Sequence, residues 1–283
     1  MNWRCFSGGS PKSSATAWST TAWSSTASPP TAIAKPPTSR WRAWVRIAGL
    51  AALFLICLPP HLIEKVLHRG ESRWPRLFLA AAARISGVAV RVEGDPLRPH
   101  SFVVANHTSW LDILIMGGVT GTAFVSKAEV ASTPLIGWLA DQNRTLYIAR
   151  QDRGDAHGQV RRIAEALAHP QPLTVFPEGT TGNGRALLPF RSTLLHAVAP
   201  PPVGAEVRPV GIDYLDAVDD IAWTDGERGI DNVLRVLGRR GRLPVIVRLL
   251  DALPPNSDRK ALAREASKAI ESALSSVNRQ PRL

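Results

Sequence analysis

The chain has 283 residues, of which 45% are hydrophobic, so it can form one large domain or two small ones around a sizeable core. Its net charge of +11 favours an anionic partner, but there is no zinc-finger spacing and no aromatic RNA-binding motif, so nucleic acid is disfavoured. The two cysteines, Cys5 and Cys57, are too few for a disulfide framework or a cysteine metal site, and a reducing compartment fits this usage.

The first 40 residues are rich in Ser, Thr, Ala and Pro. Such a composition buries too little apolar surface to offset the entropy of ordering, so we expect a disordered tail at residues 1–40. Two interpretations stay open: a tail without a role, or a start codon placed upstream of the true one. The apolar run begins only near residue 47, which disfavours a secretory signal.

An apolar run at residues 47–58 ends at Pro59 and Pro60, with basic residues on both sides. As a helix it is about 18 Å long, which is short against a hydrocarbon core of about 30 Å. A second apolar run covers residues 77–83. The sequence therefore predicts membrane-anchoring helices at residues 41–86 that dip into one leaflet, with a soluble helical hairpin as the alternative.

From Val88 onward, short apolar runs alternate with helical stripes. Residues 88–93 alternate partly between apolar and polar side chains and predict a strand. Runs rich in Val, Ile or Leu predict strands buried on both faces at residues 102–105, 122–125, 145–149, 173–176, 207–212 and 245–250. Helical stripes occupy residues 160–167 and 262–277. This alternation predicts an α/β fold, a mainly parallel sheet flanked by helices, over residues 87–283. The acid-rich residues 213–231 are predicted to form a solvated loop.

The first polar loop after a predicted strand has the sequence NHTSWLD, residues 106–112. Ligands of open α/β sheets bind beyond the carboxyl ends of the strands. If a helix begins near Ser109, Asp112 can hold one nitrogen of the His107 imidazole and leave the other free as a base. Alternatively, Asp112 forms a capping box with Ser109, and His107 is a half-buried structural histidine.

The second polar loop has the sequence FPEGTT, residues 176–181. Glu178 lies where a strand ends, Gly179 permits a positive φ, and the hydroxyls and amides of Thr180 and Thr181 can bind an anion. The alternative is an ordinary turn that carries an acid. Because parallel strands end at the same edge of a sheet, we expect this loop to meet the first one.

Two basic residues, Lys127 and Arg150, also follow predicted strand ends and can bind a phosphate or carboxylate in the same crevice. The alternative is that both are surface charges. The sequence contains no G-x-S-x-G, no H-E-x-x-H and no P-loop, and its other histidines show no ligand spacing. We therefore expect no metal and no covalent serine intermediate.

Together, the two loops resemble the first and third motifs of the glycerolipid acyltransferase family, best known from 1-acyl-sn-glycerol-3-phosphate acyltransferases. YIAR at residues 147–150 resembles the second motif, with Ala149 in place of the usual acid, and VRPVGI at residues 207–212 resembles the fourth. The resemblance covers about residues 88–250. It also implies a helical anchor in one leaflet and an acyltransferase domain on the cytoplasmic face of the membrane.

The resemblance implies a lipid O-acyltransferase of phospholipid biosynthesis in which His107 is the general base and Asp112 polarises it. The acceptor hydroxyl would attack the thioester of acyl-CoA or acyl-carrier protein directly, with no other cofactor and no acyl-enzyme. Lys127 and Arg150 would hold the anionic head of the lysolipid. The acceptor site would be lined by Glu178, Gly179, Thr180 and Thr181.

Two departures from the family pattern concern the acceptor. Many phosphatidate-forming members have Arg directly after FPEGT, where this chain has Thr181, and PFRS at residues 189–192 replaces the usual Lys-Gly. The predicted acceptor is 1-acyl-sn-glycerol-3-phosphate, which would give phosphatidate. The alternative acceptor is a lyso-ornithine lipid, acylated on its 3-hydroxy fatty acid. An alternative of another class is a non-catalytic membrane protein that binds an anionic lipid with the same loops.

Overall fold

The computed structural model describes residues 38–68, 72–148, 156–223 and 226–275. Within them, one sheet contains β1 (Val88–Glu93), β2 (Ser101–Ala105), β3 (Ala123–Lys127), β4 (Leu146–Ile148), β5 (Leu173–Val175), β6 (Glu206–Asp213) and β7 (Leu243–Leu249). Each predicted strand is present, with ends shifted by one or two residues. Three sequence-based predictions fall outside the described residues: the tail at residues 1–37, the residues Ala149 and Arg150, and the end of the last helical stripe at Val277.

The strands are ordered β1-β7-β6-β2-β5-β3-β4. The pairs among β2, β3, β4, β5 and β6 are all parallel. Strand β7 pairs antiparallel with β6, and β1 pairs parallel with β7, so these two run the opposite way. The prediction of a mainly parallel α/β sheet is confirmed. Its consequence for function is that β2, β5 and β6 lie side by side and end at one edge.

Helices cover both faces of the sheet. The described helices are α1 (Arg40–Leu67), α2 (Trp74–Ile85), α3 (Leu111–Thr120), α4 (Ala128–Ala131), α5 (Pro134–Gln142), α6 (Ala156–Leu167), α7 (Val218–Ile221), α8 (Gly229–Leu237) and α9 (Arg259–Ser275). In β2, Val103 and Ala105 join the core that contains Leu111 of α3, whereas Phe102 and Val104 join the core that contains Ile163 of α6. This explains why β2 is apolar throughout, since both of its faces are buried.

The first helix is longer than predicted. Helix α1 continues through Pro59 and Pro60 for 28 residues, so the prediction that it ends at these prolines is wrong. Proline removes backbone hydrogen bonds of the helix, but tertiary contacts hold the next turn in place. His61 Nδ1 lies 2.9 Å from the Ser72 hydroxyl, and His61 Nε2 lies 3.1 Å from Oε1 of Gln142 in α5.

One face of α1 is buried and the other is open to solvent. Cys57 and His61 are buried against the rest of the molecule, whereas Trp44, Leu55 and Ile56 are exposed. Among the described residues, α1 is the one helix whose length and composition would suffice to cross a membrane. Helix α1 packs against α2, the next helix along the chain.

The acid-rich segment at residues 213–231 is not the solvated loop that we predicted. Its described part contains a 3₁₀ turn at Leu215–Ala217, helix α7 and the start of α8. Tyr214 and Ile221 are fully buried in the core. The apolar residues between the acids pack inward, and this packing overrides the charge pattern.

Candidate active site

The loops that follow β2, β5 and β6 meet at one edge of the sheet. Asn106, directly after β2, binds both backbone groups of Ile212 in β6: its Oδ1 accepts from the Ile212 amide at 2.7 Å, and its Nδ2 donates to the Ile212 carbonyl at 3.0 Å. On the other side, the amide of Gly182 donates to the carbonyl of His107 at 2.8 Å. These hydrogen bonds hold His107 between strand β6 and the loop that follows β5.

His107 and Asp112 are in contact. Nδ1 of His107 lies 2.8 Å from Oδ2 of Asp112, whose side chain is fully buried, whereas the His107 side chain is 19% exposed. The imidazole stacks on the ring of Phe176, with 4.2 Å between the centroids and 19° between the planes. An ionised carboxylate only accepts hydrogen bonds, so beside it Nδ1 is the donor, and in the neutral imidazole Nε2 then keeps its lone pair.

Asp112 accepts hydrogen bonds on both oxygens. Besides His107, its Oδ2 accepts from the backbone amides of Thr108 and Ser109 at 2.8 and 2.9 Å. Its Oδ1 accepts from the Tyr214 hydroxyl at 2.5 Å. The contact of Asp112 with His107 is present. The predicted capping box is present only in part: Asp112 accepts the Ser109 amide, but Trp110 is the N-cap of α3 and no side chain caps the helix.

Tyr214 is a residue of the site that the sequence analysis missed. It follows β6 directly, so the rule that selected His107 and Glu178 would have selected it too, had residues 213–231 not been taken as a solvated loop. Burial, followed by the charge and hydrogen bond of Asp112, raises the pKa of the Tyr214 phenol well above its ordinary value. The phenol is therefore a permanent donor to Asp112.

Glu178, in the second motif loop, is hydrogen-bonded to the first motif loop. Its Oε1 accepts from the amide of His107 at 2.7 Å, and its Oε2 accepts from the amide of Leu188 at 2.9 Å. Burial raises the pKa of this carboxyl, although the two amides and His107 act in the opposite direction. The side chain is buried and is not part of the cavity wall described below. The structure therefore does not bring Glu178 to the surface where we expected it to contact the acceptor.

A cavity of about 1000 Å³ opens beside His107. Lys127, Gly179, Thr180 and Thr181, four of the residues predicted to bind substrate, line it. Gly179 has φ of 79°, the positive value that the sequence suggested. The Thr181 hydroxyl donates to the carbonyl of Trp223 at 2.7 Å, and the Trp223 amide donates to the carbonyl of Thr108 at 3.2 Å. Trp223, a second residue that the sequence did not single out, therefore connects both loops at the cavity wall.

The remaining wall is mainly apolar. It is formed by Phe54, Cys57, Leu58 and His61 of α1, by Trp74, Phe78 and Leu79 of α2, and by Trp138 and Leu139 of α5. The cavity reaches from Lys127, at the end of β3, to Asn143, whose side chain donates to the carbonyl of Thr122 just before β3. Four of the five residues of β3, Phe124 to Lys127, therefore line the cavity.

Comparison with known proteins shows what this arrangement belongs to. The Acyltransferase family model matches residues 89–213, from β1 to the end of β6. The lyso-ornithine lipid O-acyltransferase of Pseudomonas aeruginosa is 40% identical over 239 residues, which cover 81% of this chain and 91% of that protein. The chain belongs to the acyltransferase family. The resemblance that the motifs indicated, and the prediction of an enzyme, are confirmed.

Two further matches of this acyltransferase, one relative and one solved structure, are named for a different acceptor. The 1-acyl-sn-glycerol-3-phosphate acyltransferase of Neisseria gonorrhoeae is 36% identical over 126 residues, 44% of this chain and 49% of that protein. The crystal structure of the 1-acyl-sn-glycerophosphate acyltransferase PlsC of Thermotoga maritima matches with a TM-score of 0.64 and 19% identity, over 86% of this chain and 98% of that one. The acyltransferase fold is thus shared over nearly the whole length of PlsC.

Proposed function

We propose that this acyltransferase moves an acyl group from a thioester to the 3-hydroxyl of a lyso-ornithine lipid at a membrane surface. The relative from Pseudomonas aeruginosa, named for this reaction, aligns over most of both chains, whereas the relative from Neisseria gonorrhoeae, named for the phosphatidate-forming reaction, aligns over about half of each. The observation that carries the choice is the charge of the cavity wall.

Among the described residues, Lys127 is the one Lys or Arg that lines the cavity. Thr181, at the place where many phosphatidate-forming members have Arg, is neutral and donates to a backbone carbonyl. A phosphate monoester carries up to two negative charges and is usually held by several cationic donors. The head of a lyso-ornithine lipid has one carboxylate and one ammonium group, so Lys127 can pair with that carboxylate without a cation at Thr181.

In the proposed mechanism, Nε2 of His107 takes the proton of the acceptor hydroxyl as its oxygen attacks the thioester carbonyl. The tetrahedral intermediate then expels the thiolate of CoA or of the carrier protein, which receives the proton from the imidazolium. Asp112 holds the tautomer that leaves Nε2 free and stabilises the imidazolium. A positioned base of this kind contributes about 10²- to 10⁴-fold.

The apolar part of the cavity fits an acyl chain. His107 and Lys127 line the cavity together with aromatic and aliphatic side chains, among them Phe78, Leu79 and Phe124. A chain bound there would place its ester-forming end beside the base. The same cavity has no described acid in its wall other than Glu227, which is already paired with Arg235 at 2.7 Å.

Membrane association is part of the proposal. The exposed face of α1 carries Trp44, Leu55 and Ile56, while its opposite face is bonded to the domain near both ends, through Arg46 to the carbonyl of Leu237 and through His61 to Gln142. A helix held along its length by the domain lies in the plane of one leaflet more readily than it crosses the bilayer. We place the catalytic domain on the cytoplasmic face, where acyl thioesters are made.

A substrate panel tests the proposal. Purified protein in lipid vesicles is given acyl-CoA or acyl-carrier protein together with lyso-ornithine lipid, 1-acyl-sn-glycerol-3-phosphate or lysophosphatidylcholine, and thiol release and acylated product are measured. We expect kcat/KM to be highest for the lyso-ornithine lipid, with one ester formed per thiol released.

The second candidate acceptor is 1-acyl-sn-glycerol-3-phosphate, which the sequence favoured and for which the Neisseria gonorrhoeae relative is named. A higher kcat/KM for this phosphate would replace the proposed acceptor and leave the acyltransferase assignment in place. Binding of lipid without thiol release, for every acceptor and both donors, would instead favour the non-catalytic alternative.

A further inference from the structure

The phenol of Tyr214 occupies the one oxygen of Asp112 that faces away from His107. The ring is fully buried, and its hydroxyl lies 2.5 Å from Oδ1 of Asp112, while Oδ2 receives His107 and two backbone amides. The backbone amides come from the same loop as His107, but Tyr214 comes from the end of β6. Tyr214 is therefore the contact that ties the carboxylate to a different strand of the sheet.

We propose that Tyr214 is a positioning residue for acyl transfer, which orients Asp112 toward His107 and keeps its carboxylate a weak base. This inference rests on the proposed role of His107 as the general base. Tyr214 does not line the cavity and does not touch the substrate site, so it acts only through Asp112.

Two physical effects follow from this contact. A phenol that donates to Oδ1 fixes the plane of the carboxylate, so that Oδ2 stays in line with Nδ1 of His107. It also draws negative charge toward Oδ1, which limits how strongly Asp112 attracts the proton that His107 carries during turnover. The titratable groups around the carboxylate are His107, Tyr214 and, through the His107 amide, Glu178.

The test replaces Tyr214 with Phe and measures kcat, KM and the pH profile of kcat/KM with an acceptor that the wild type acylates. We expect kcat to fall by about 10- to 100-fold, as for loss of a buried hydrogen bond to a charged group, while KM for donor and acceptor changes by less than about twofold. The acid limb of the profile moves to higher pH by about 0.5 to 1 unit, because Asp112 then favours the protonated imidazole more strongly.

The chain offers a matched control in its other tyrosine. The hydroxyl of Tyr147 donates to Asp141 at 2.8 Å and to the carbonyl of Gly137 at 3.1 Å, both in α5 and outside the cavity wall. Tyr147→Phe removes a tyrosine hydroxyl in the same way but far from Asp112, and we expect the acid limb of its pH profile to stay at the wild-type position. Circular dichroism of both variants checks that they are folded.

A double-mutant cycle separates positioning from a general structural effect. In an Asp112→Asn background the carboxylate is gone, so Tyr214→Phe should lower kcat by less than about threefold further. Equal losses in both backgrounds, a change confined to KM, or an unshifted acid limb would each overturn the inference. If Tyr214→Phe is unfolded, 3-fluorotyrosine in place of tyrosine keeps the ring and makes the phenol a stronger donor to Asp112. The acid limb should then move to lower pH, and an unchanged limb overturns the inference as well.

The same experiment distinguishes failure of this inference from failure of the proposed function. If His107→Ala retains full turnover, the role of the base is wrong, whatever Tyr214 does. If His107→Ala is inactive and Tyr214→Phe is unaffected, only the positioning role is wrong.

Discussion

The carboxylate of Glu178 accepts the backbone amide of His107 at 2.7 Å, so an acid of the second motif positions the histidine of the first. Its other oxygen accepts the amide of Leu188, and the side chain is buried. One glutamate therefore connects the loops after β2 and β5 with the segment that follows them. This gives the acid of the FPEGT sequence a role in holding the site together in this chain.

Replacing Glu178 with Gln should reduce the free energy of unfolding by about 1–3 kcal/mol, because the amide NH₂ group cannot accept from a backbone N–H. The difference in the free energy of unfolding between the wild type and Glu178→Gln should also depend on pH. The pKa of Glu178 is raised in the folded protein, so its contribution is fully present below the ordinary value of 4.5 and is lost as the pH rises through the raised value.

Urea unfolding of the wild type and of Glu178→Gln between pH 4 and pH 8 measures this difference. The difference in the free energy of unfolding between the wild type and Glu178→Gln should narrow as the pH rises and then stay constant. Glu165→Gln, in an exposed pair with Arg161 on α6, is the control and should show a small gap throughout. A gap that widens with pH would contradict the raised pKa.

Replacing His107 with Ala should lower thioester turnover by about 10²- to 10⁴-fold, because the acceptor hydroxyl loses its base. Binding of the lysolipid should be largely unchanged, since the cavity wall remains. Thiol release and vesicle-based lipid binding measure the two effects separately. His196→Ala, at an exposed histidine in the 3₁₀ turn Leu194–Val198, serves as the control and should keep full turnover.

Replacing Thr181 with Arg should shift acceptor preference toward 1-acyl-sn-glycerol-3-phosphate. A guanidinium at this point of the cavity wall gains charge-assisted hydrogen bonds to the phosphate, and we expect the ratio of kcat/KM values for the two acceptors to change by about 10- to 100-fold.

The matched variant for this change is Thr181→Gln, which also loses the bond to the carbonyl of Trp223 and adds length without charge. It should leave the ratio near the wild-type value. If both variants shift the ratio equally, size and not charge selects the acceptor.

Replacing Ile56 with Glu should release the protein from vesicles, because it puts a charge on the exposed face of α1. Loss of one isoleucine side chain from the lipid weakens membrane binding by about 1.5–3 kcal/mol, so the partition coefficient between vesicles and water should fall by at least about tenfold. Co-flotation with anionic vesicles measures it. Val203→Glu makes the same charge change at a fully exposed valine before β6, and flotation should persist; equal release of both variants would count against a role of the α1 face.

The central strands were predictable because both of their faces are buried and they therefore read as continuous apolar runs, as Phe102 to Ala105 show. The antiparallel pairing of β6 with β7 was not predictable in the same way, since an apolar run carries no direction. The end of α1 was wrongly predicted at Pro59 and Pro60 because local propensity was the only available signal. The helix continues because His61 contacts Ser72 and also Gln142, which lies 81 residues away along the chain.

The sequence predicted those residues of the candidate site that follow the end of a predicted strand. His107, in the loop after β2, and Asp112, in the first turn of α3, are five residues apart, so local geometry allows their contact. Tyr214 lies 102 residues from Asp112 along the chain, in a segment whose acids suggested exposure. Glu178 was assigned to the correct loop, but the direction of its side chain depends on the amides of His107 and Leu188, which only the folded chain brings within reach.

Helix α1 presents Leu55 and Ile56 outward and Phe54 and Cys57 to the cavity. The ring of Phe54 packs edge-on against Phe78 of α2, at 6.4 Å, and against Trp138 of α5, at 5.8 Å. The amphipathic first helix is thus a structural wall of the substrate chamber. Truncating it to obtain a more soluble enzyme would leave that chamber without one side and uncover its aromatic lining to water.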